Sequence, residues 1–183
     1  MTRAFVAVRL PESVLDAVAA RLDDVALAGR PTSRGQWHLT LQFLGDHADV
    51  DAVAGALDGI DATGGPAQVG GAGAFPDARH ARVLWLGLTQ GNTVVARLAA
   101  AVARHLAALG HEPDARPFRA HLTVARCRAP IDLRPVIEAV GTQPVGPSWD
   151  IDAVTVYESI RHSTGADYIA RATILLPAGL LPT

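Results

Sequence analysis

The tripeptides His38-Leu39-Thr40 and His121-Leu122-Thr123 occupy equivalent places in a repeated series of elements. That repeat narrows the fold more than any other feature of the chain. Residues 4–10 alternate as a strand up to Pro11, and Val14, Leu15, Val18, Leu22 and Val25 form a helical stripe over 12–28, stopped by Gly29. Residues 36–44 alternate polar and apolar side chains, which predicts a strand with one polar face; a helix over 49–60 and a glycine-rich strand over 66–75 follow. The order then recurs: strand 82–88, helix 92–109 ended by Gly110, strand 119–126, short helix 131–140 and strand 149–157, with a last strand over 167–176 before Pro177. The histidines are 83 residues apart (121 minus 38). The repeat predicts a single domain over 1–183 made of two similar lobes that face each other across a cleft, so that equivalent residues meet there. The Gly/Ala/Pro-rich segment 61–76 is the expected crossing between lobes.

Strand parity gives the tripeptides a direction. Side chains at i and i+2 share a face, so His38 projects with Thr40 and His121 with Thr123. Leu39, Leu41, Leu122 and Val124 point the other way, beneath helices. Opening a phosphodiester requires a base for the attacking water, an acid for the departing oxygen opposite, and donors for the non-bridging oxygens. Imidazole suits both proton roles near neutral pH, and a threonine hydroxyl donates to phosphate. Two related lobes would place one His/Thr unit on each side of phosphorus, as in-line displacement asks.

Composition sets bounds. The net charge of −2 excludes a global basic field of the kind that drives non-specific duplex binding, so a nucleic acid would be held locally. Every basic residue is arginine, a pattern expected from compositional bias and also suited to phosphate recognition. Cys127 is the single cysteine, so neither an intrachain disulfide nor a thiolate cluster is available. No apolar run is long enough to span a membrane, and Arg9 interrupts the N-terminal one, which predicts a cytoplasmic location. His47, His80, His105, His111 and His162 show no metal-ligand spacing, so no metal is expected. Trp37 and Phe43 lie at odd offsets from His38, which assigns both to the core, as is Phe5 by preference over base stacking. Arg79, Arg82, Arg116 and Arg119 are open between groove and surface.

Longer stretches carry a resemblance. Ala4-Phe-Val-Ala-Val-Arg-Leu-Pro11, Trp37-His-Leu-Thr-Leu-Gln-Phe-Leu-Gly45, Gly73-Ala-Phe-Pro76, Arg82-Val-Leu-Trp-Leu-Gly87, Arg116-Pro-Phe-Arg-Ala-His-Leu-Thr-Val-Ala-Arg126 and Val156-Tyr-Glu-Ser159 together cover nearly the whole chain. They resemble the 2H phosphoesterase superfamily, specifically its bacterial RNA 2′,3′-cyclic phosphodiesterase (2′-5′ RNA ligase) family. The resemblance implies an α+β fold of two pseudo-symmetric lobes with antiparallel sheets around a central groove and helices outside; it also implies hydrolysis of a 2′,3′-cyclic phosphate end to a 2′-phosphate, and 2′-5′ ligation when a 5′-hydroxyl replaces water. It implies His38 as proton donor to the 3′-oxygen, His121 as acceptor from water, and Thr40 and Thr123 as phosphate holders. No metal or other cofactor is implied. The expected partners are RNA ends or small nucleotides, with the chain a monomer. The alternatives are a phosphoesterase of small cyclic or 2′-5′-linked nucleotides and a non-catalytic RNA-end-binding module, against which both intact motifs argue.

The family's arginine falls on Arg126, for which the resemblance implies a role in binding the substrate phosphate rather than a surface ion pair. Its offset of five from His121 is odd, so an ideal strand aims it at the opposite face, and it serves the site only if the strand bulges or twists. The turn after Tyr157-Glu-Ser159 departs from the family pattern and leaves His162 either exposed or at the substrate.

Overall fold

The periodicities resolve into strands and helices in a computed structural model that describes residues 2–162 and 165–177. In chain order these are β1 (Thr2–Arg9), α1 (Glu12–Asp23), β2 (Arg30–Pro31), a 3₁₀ turn (Arg34–Gln36), β3 (His38–Ala48), α2 (Val50–Leu57), β4 (Gly65–Phe75), β5 (Ala81–Gln90), α3 (Asn92–Ala107), β6 (Leu122–Ile131), α4 (Arg134–Val140), β7 (Pro144–Ile151), β8 (Ala153–His162) and β9 (Gly165–Leu175). They form two sheets, ordered β3-β1-β8-β9 and β2-β6-β5-β4-β7, with antiparallel pairing throughout. The α+β, two-lobed expectation holds.

The lobes are not the two halves of the chain. β4 closes the first half but lies in the second sheet between β5 and β7, and β8 returns to the first sheet beside β1. β4 is thus to β5 what β8 is to β1. Besides the short passage through β2, the crossings fall between α2 and β4 and at Asp152, whose carbonyl accepts from the Leu176 amide at 2.8 Å. That break divides the strand expected over 149–157 into β7 and β8. β7 escaped notice because Pro144, Gly146 and Pro147 interrupt its pattern; as an edge strand it tolerates them. The helices cross over too. α1 packs on β7 and α4 on β4, while α3 packs on β3 and α2 on α3 and β9. α1 ends at Asp23 rather than continuing to residue 28, since Asp23 and Asp24 oppose the negative end of a helix. Val25 and Leu27 still pack on the core from the coil that follows. α2 is held at its start by Asp49, whose carboxylate accepts from the amides of Asp51 and Ala52, both at 3.1 Å.

The inward halves of the motif strands behave as parity requires. Leu39, Leu41, Leu122 and Val124 are buried in the core. Between the lobes runs a short bridge. β2 pairs with β6, Arg30 opposite Arg126, and the chain then turns directly into β3. Within that bridge the indole Nε1–H of Trp37 donates to the Thr32 hydroxyl at 3.0 Å, and that hydroxyl donates to the carbonyl of Thr123 at 2.8 Å. The residue before His38 is therefore hydrogen-bonded, through one side chain, to the backbone of the second motif. Replacing Thr32 with Val should strand both the indole and the carbonyl, lowering stability by about 1–3 kcal/mol, whereas Thr32→Ser should retain most of it. Urea unfolding of the two variants measures the difference, and equal midpoints would show that the bridge carries no load.

Candidate active site

Each motif strand departs from ideal alternation at the same place. In the first sheet Val6 pairs with Gln42 and Ala7 with Thr40, so Leu41 is an extra residue in β3. In the second, Leu84 pairs with Ala125 and Trp85 with Thr123, so Val124 is an extra residue in β6. These are β-bulges, which reset the in/out alternation downstream. The consequence is visible in burial. Leu41 and Gln42 are both buried and Phe43 is exposed; Val124 and Ala125 are both buried and Arg126 is exposed. A residue five positions after each histidine therefore shares its face despite the odd offset. Arg126 lies close enough to depress the pKa of both His38 and His121. Phe43 moves the other way from expectation: the bulge takes it out of the core to 61% exposure, and Gln42 goes in instead, its amide donating to the His111 carbonyl at 3.0 Å.

His38 opens β3 directly after the 3₁₀ turn, which is closed by a reciprocal cap between Ser33 and Gln36. Its imidazole is enclosed by aromatic rings. Phe5 stacks on it with centroids 4.6 Å apart, Tyr168 meets it edge-on at 5.2 Å, and Tyr157 lies at 6.2 Å while stacking on Phe5 at 5.2 Å. Phe5 is 3% exposed, so it packs beneath the site as expected and is not itself a base platform. This desolvation pushes the His38 pKa down to about 4; a hydrogen bond to the Gln36 backbone opposes it, and the charges of His121 and Arg126 add to it.

His121 sits immediately before β6. Its Nδ1–H donates to the Arg119 carbonyl at 2.8 Å, which leaves Nε2 as the free lone pair of a neutral ring. Both histidines thus bond the backbone two residues earlier. The ring is walled by Phe75, edge-on at 5.0 Å, and by Trp85 at 6.3 Å. Gly73 makes room for that indole, since a Cβ there would lie 2.2 Å from the Trp85 ring. Burial lowers the His121 pKa, with the charges of Arg126 and Arg119 acting the same way and the Arg119 carbonyl opposing.

Thr40 and Thr123 are half-buried on the histidine faces of their strands. Of the arginines left open by sequence, Arg119 belongs to the site, its guanidinium 5.5 Å over the Trp85 ring. Arg116 is paired with Asp114, and Arg82 donates to the Arg128 carbonyl at 2.9 Å. A depression of about 380 Å³ flanks Arg119, lined also by Asn92, Thr93, Ala96, Phe118 and Ala120. His162 is paired with Asp167 at 3.1 Å across the β8–β9 hairpin; Ser163 and Thr164 of that turn lie outside the described residues. His105 is fixed between the Ala56 carbonyl and Asp61. Sequence reading passed over the roles of Tyr157, Tyr168, Phe75 and Trp85 around the histidines. Of the four, only Trp85 lies on a strand that pairs with a motif strand; Tyr157, Tyr168 and Phe75 lie one or two strands further across their sheets.

Because His38 is held neutral, it ties stability to pH. Its folded pKa lies below the unfolded value of 6.5, so the unfolded chain binds the extra proton. The stabilisation is complete above pH 6.5 and is lost as pH falls from 6.5 towards 4, amounting to at most about 3 kcal/mol. Urea unfolding at intervals across that window should show a slope that is flatter in His38→Gln; identical slopes would mean that His38 is not the buried neutral group.

Comparison with known proteins places this geometry. The profile of the 2′-5′ RNA ligase superfamily matches residues 10–163. An RNA 2′,3′-cyclic phosphodiesterase of Aquifex aeolicus is 34% identical over 137 residues, 70% of this chain and 72% of that protein. The Escherichia coli (strain K12) protein of the same name is 32% identical over 136 residues, 72% and 71% of the respective lengths. The crystal structure of E. coli LigT complexed with NADP+ superposes with a TM-score of 0.75 at 26% identity, covering 96% of this chain and 98% of that one. No helix among the described residues is long and apolar enough to cross a membrane. By its profile, its relatives and its paired His-x-Thr strands, the chain belongs to the 2′-5′ RNA ligase superfamily, as a member of the RNA 2′,3′-cyclic phosphodiesterase family.

Proposed function

We propose that this chain hydrolyses RNA 2′,3′-cyclic phosphate ends to 2′-phosphomonoesters by two-histidine general acid–base catalysis, acting as a cytoplasmic monomer with the whole chain as one bilobal domain. The observation that carries the reading is the His121 tautomer: with Nδ1–H committed to the Arg119 carbonyl, Nε2 is a base free to accept a proton. In this mechanism water attacks phosphorus and passes its proton to His121. The bond to the 3′-oxygen breaks, and His38 supplies the proton that oxygen needs. Thr40 and Thr123 donate to the non-bridging oxygens, and Arg126, whose charge reaches both histidines, compensates the charge that builds there. When an RNA 5′-hydroxyl replaces water, the same displacement forms a 2′-5′ linkage.

The acid role asks His38 to be protonated, yet in the free protein burial and two neighbouring positive charges disfavour that. The substrate resolves the conflict. A cyclic phosphodiester brings a negative charge between His38 and Arg126, offsetting the arginine and favouring the imidazolium. Protonation of His38 is therefore coupled to substrate binding. The alkaline limb of the kcat profile should then lie at higher pH than that of kcat/KM, because the first reports the complex and the second the free enzyme. Coincident limbs, or the reverse order, would argue against His38 as the acid.

The direct test is incubation with an oligonucleotide bearing a 2′,3′-cyclic phosphate, in EDTA, followed by end-group analysis. A 2′-phosphate is expected, with undiminished rate in the chelator. His38→Ala and His121→Ala should each lower kcat/KM by about 10²- to 10⁴-fold while the protein stays folded. A 3′-phosphate product would reverse the proton roles, and sensitivity to EDTA would bring in a metal.

A further inference from the structure

Two arginines face each other at the edge of the second sheet. β2 pairs with β6 so that Arg30 stands directly opposite Arg126, and residues paired in this way share a face. Arg126 is on the site face, so Arg30 projects from that face beside it. Like charges at opposed positions destabilise a sheet. Nothing in the chain relieves this pair: both side chains are exposed, and neither forms an ion pair among the described residues. Elsewhere the chain does otherwise, since seven of its sixteen arginines have a carboxylate partner. The β8–β9 hairpin of the other lobe closes on the same spot. A Cβ at Gly165 would lie 3.6 Å from Nη2 of Arg30 and 3.9 Å from Nε2 of Gln36, which donates to the Ala166 carbonyl at 2.7 Å. Arg161 pairs with Ala166 on that hairpin, and it alternates with Ser159, whose partner Tyr168 meets the His38 ring, so Arg161 also faces the groove. It too is exposed and has no ion pair among the described residues. One guanidinium from each lobe thus stands at this end of the groove, on or beside the outermost strand of the second sheet. Of the opposed pair, Arg126 is the one that depresses the pKa of both histidines.

We propose that Arg30 and Arg161 form a second phosphate subsite, which holds the phosphodiester on the 5′ side of the nucleotide bearing the cyclic phosphate and makes the protein prefer an RNA chain end to a single nucleotide. This rests on the reaction proposed above and adds to it a direction: the chain leaves the histidines past Arg126 towards β2 and the β8–β9 hairpin. The chemistry matches. In an RNA end the next negative charge after the cyclic phosphate lies one sugar away, on the 5′ oxygen, and guanidinium forks are suited to the paired oxygens of a phosphodiester. An anion beside Arg30 also offsets its repulsion with Arg126, so the cost of opposing two cations in the free protein is recovered when the chain binds. The contact is local, which fits a molecule whose net charge of −2 gives it no general attraction for nucleic acid. A single nucleoside cyclic phosphate would leave the subsite empty.

The test compares two dinucleotides in steady state, both deoxyadenosine joined to adenosine 2′,3′-cyclic phosphate, one through an ordinary phosphodiester and the other through a neutral methylphosphonate. Bases, sugars and reacting phosphate are the same, so the ratio of the two kcat/KM values isolates the charge of the linkage. The wild type should favour the phosphodiester about tenfold to a hundredfold, and Arg30→Gln and Arg161→Gln should each lower that preference by about tenfold. Arg30→Lys should keep part of it, because the charge remains and the fork is lost. The loss should appear mainly in KM, and the slope of log KM against log salt for the phosphodiester should fall by about 0.7 in Arg30→Gln. A wild-type ratio near one, or a ratio unchanged in either glutamine variant, overturns the subsite; a merely structural effect would lower both substrates alike. If wild-type protein turns over neither dinucleotide, the reaction reading fails and the subsite is decided on its own by calorimetry with the same two linkages in dinucleotides ending in a 2′-phosphate. Tighter binding of the charged linkage that disappears in Arg30→Gln supports it. The absence of such a preference, or its survival in the variant, overturns it.

Discussion

The paired bulges at Leu41 in β3 and Val124 in β6 are the constraint on which the site depends. Without them each motif strand would show the groove only its histidine, its threonine and then the residue four places on, Gln42 or Ala125. With them the fifth residue, Phe43 or Arg126, comes into the groove, and the fourth joins the core. One inserted residue per strand thus converts a symmetric pair of His/Thr units into an asymmetric site, with charge on one side and an aromatic surface on the other. The same bulges bend their strands, which suits two sheets whose functional faces oppose each other.

Exchange of β4 and β8 between the sheets makes those faces hold their positions. Had each half of the chain folded as its own sheet, the lobes would meet only through a linker and the groove would be free to open. Instead each sheet contains strands from both halves, and each outer face is covered by helices from both. The chain therefore crosses between the lobes several times, so opening the groove would strain several connections at once rather than bend a single linker. The Trp37–Thr32–Thr123 relay adds a local tie of the same sense, fixing the strand that begins at His38 to the backbone that carries Thr123.

Much of this was legible in the sequence. His38, Thr40, Leu39 and Leu41 fell where alternation put them, as did their counterparts around His121, because the residues nearest each motif lie upstream of the bulge. What alternation misassigned lies downstream: Phe43 was given to the core and Arg126 to the far face, both by the parity that the bulge resets. The signal was present in the adjacent apolar pair Val124-Ala125, which no half-buried strand needs. In β3 it was hidden, since Gln42 looks like a surface residue and is buried only because its amide reaches the His111 carbonyl. The strand exchange was not legible, because β4 and β8 have the composition of any strand, and their sheet is chosen by tertiary pairing. β7 was missed because proline marks an edge strand and a loop alike.

The asymmetry also suits the different roles proposed for the two histidines, though their motifs are identical. Each is buried, each bonds the backbone two residues earlier, and each feels Arg126. But His38 lies within three aromatic rings and His121 beside two, with the cationic Arg119 over one of them, Trp85. Two imidazolium ions cannot share the groove cheaply, as the effect of His121 on His38 shows, so the pair accepts its first proton on one ring or the other. In the proposed mechanism the phosphate's charge determines how many protons the pair holds; the bond from Nδ1–H to the Arg119 carbonyl fixes the His121 tautomer and leaves Nε2 as its free nitrogen, while the Arg119 guanidinium disfavours protonation there. In that proposed mechanism the aromatic enclosure of His38 keeps it neutral before substrate arrives, so the acid becomes available only when there is a leaving oxygen to receive its proton.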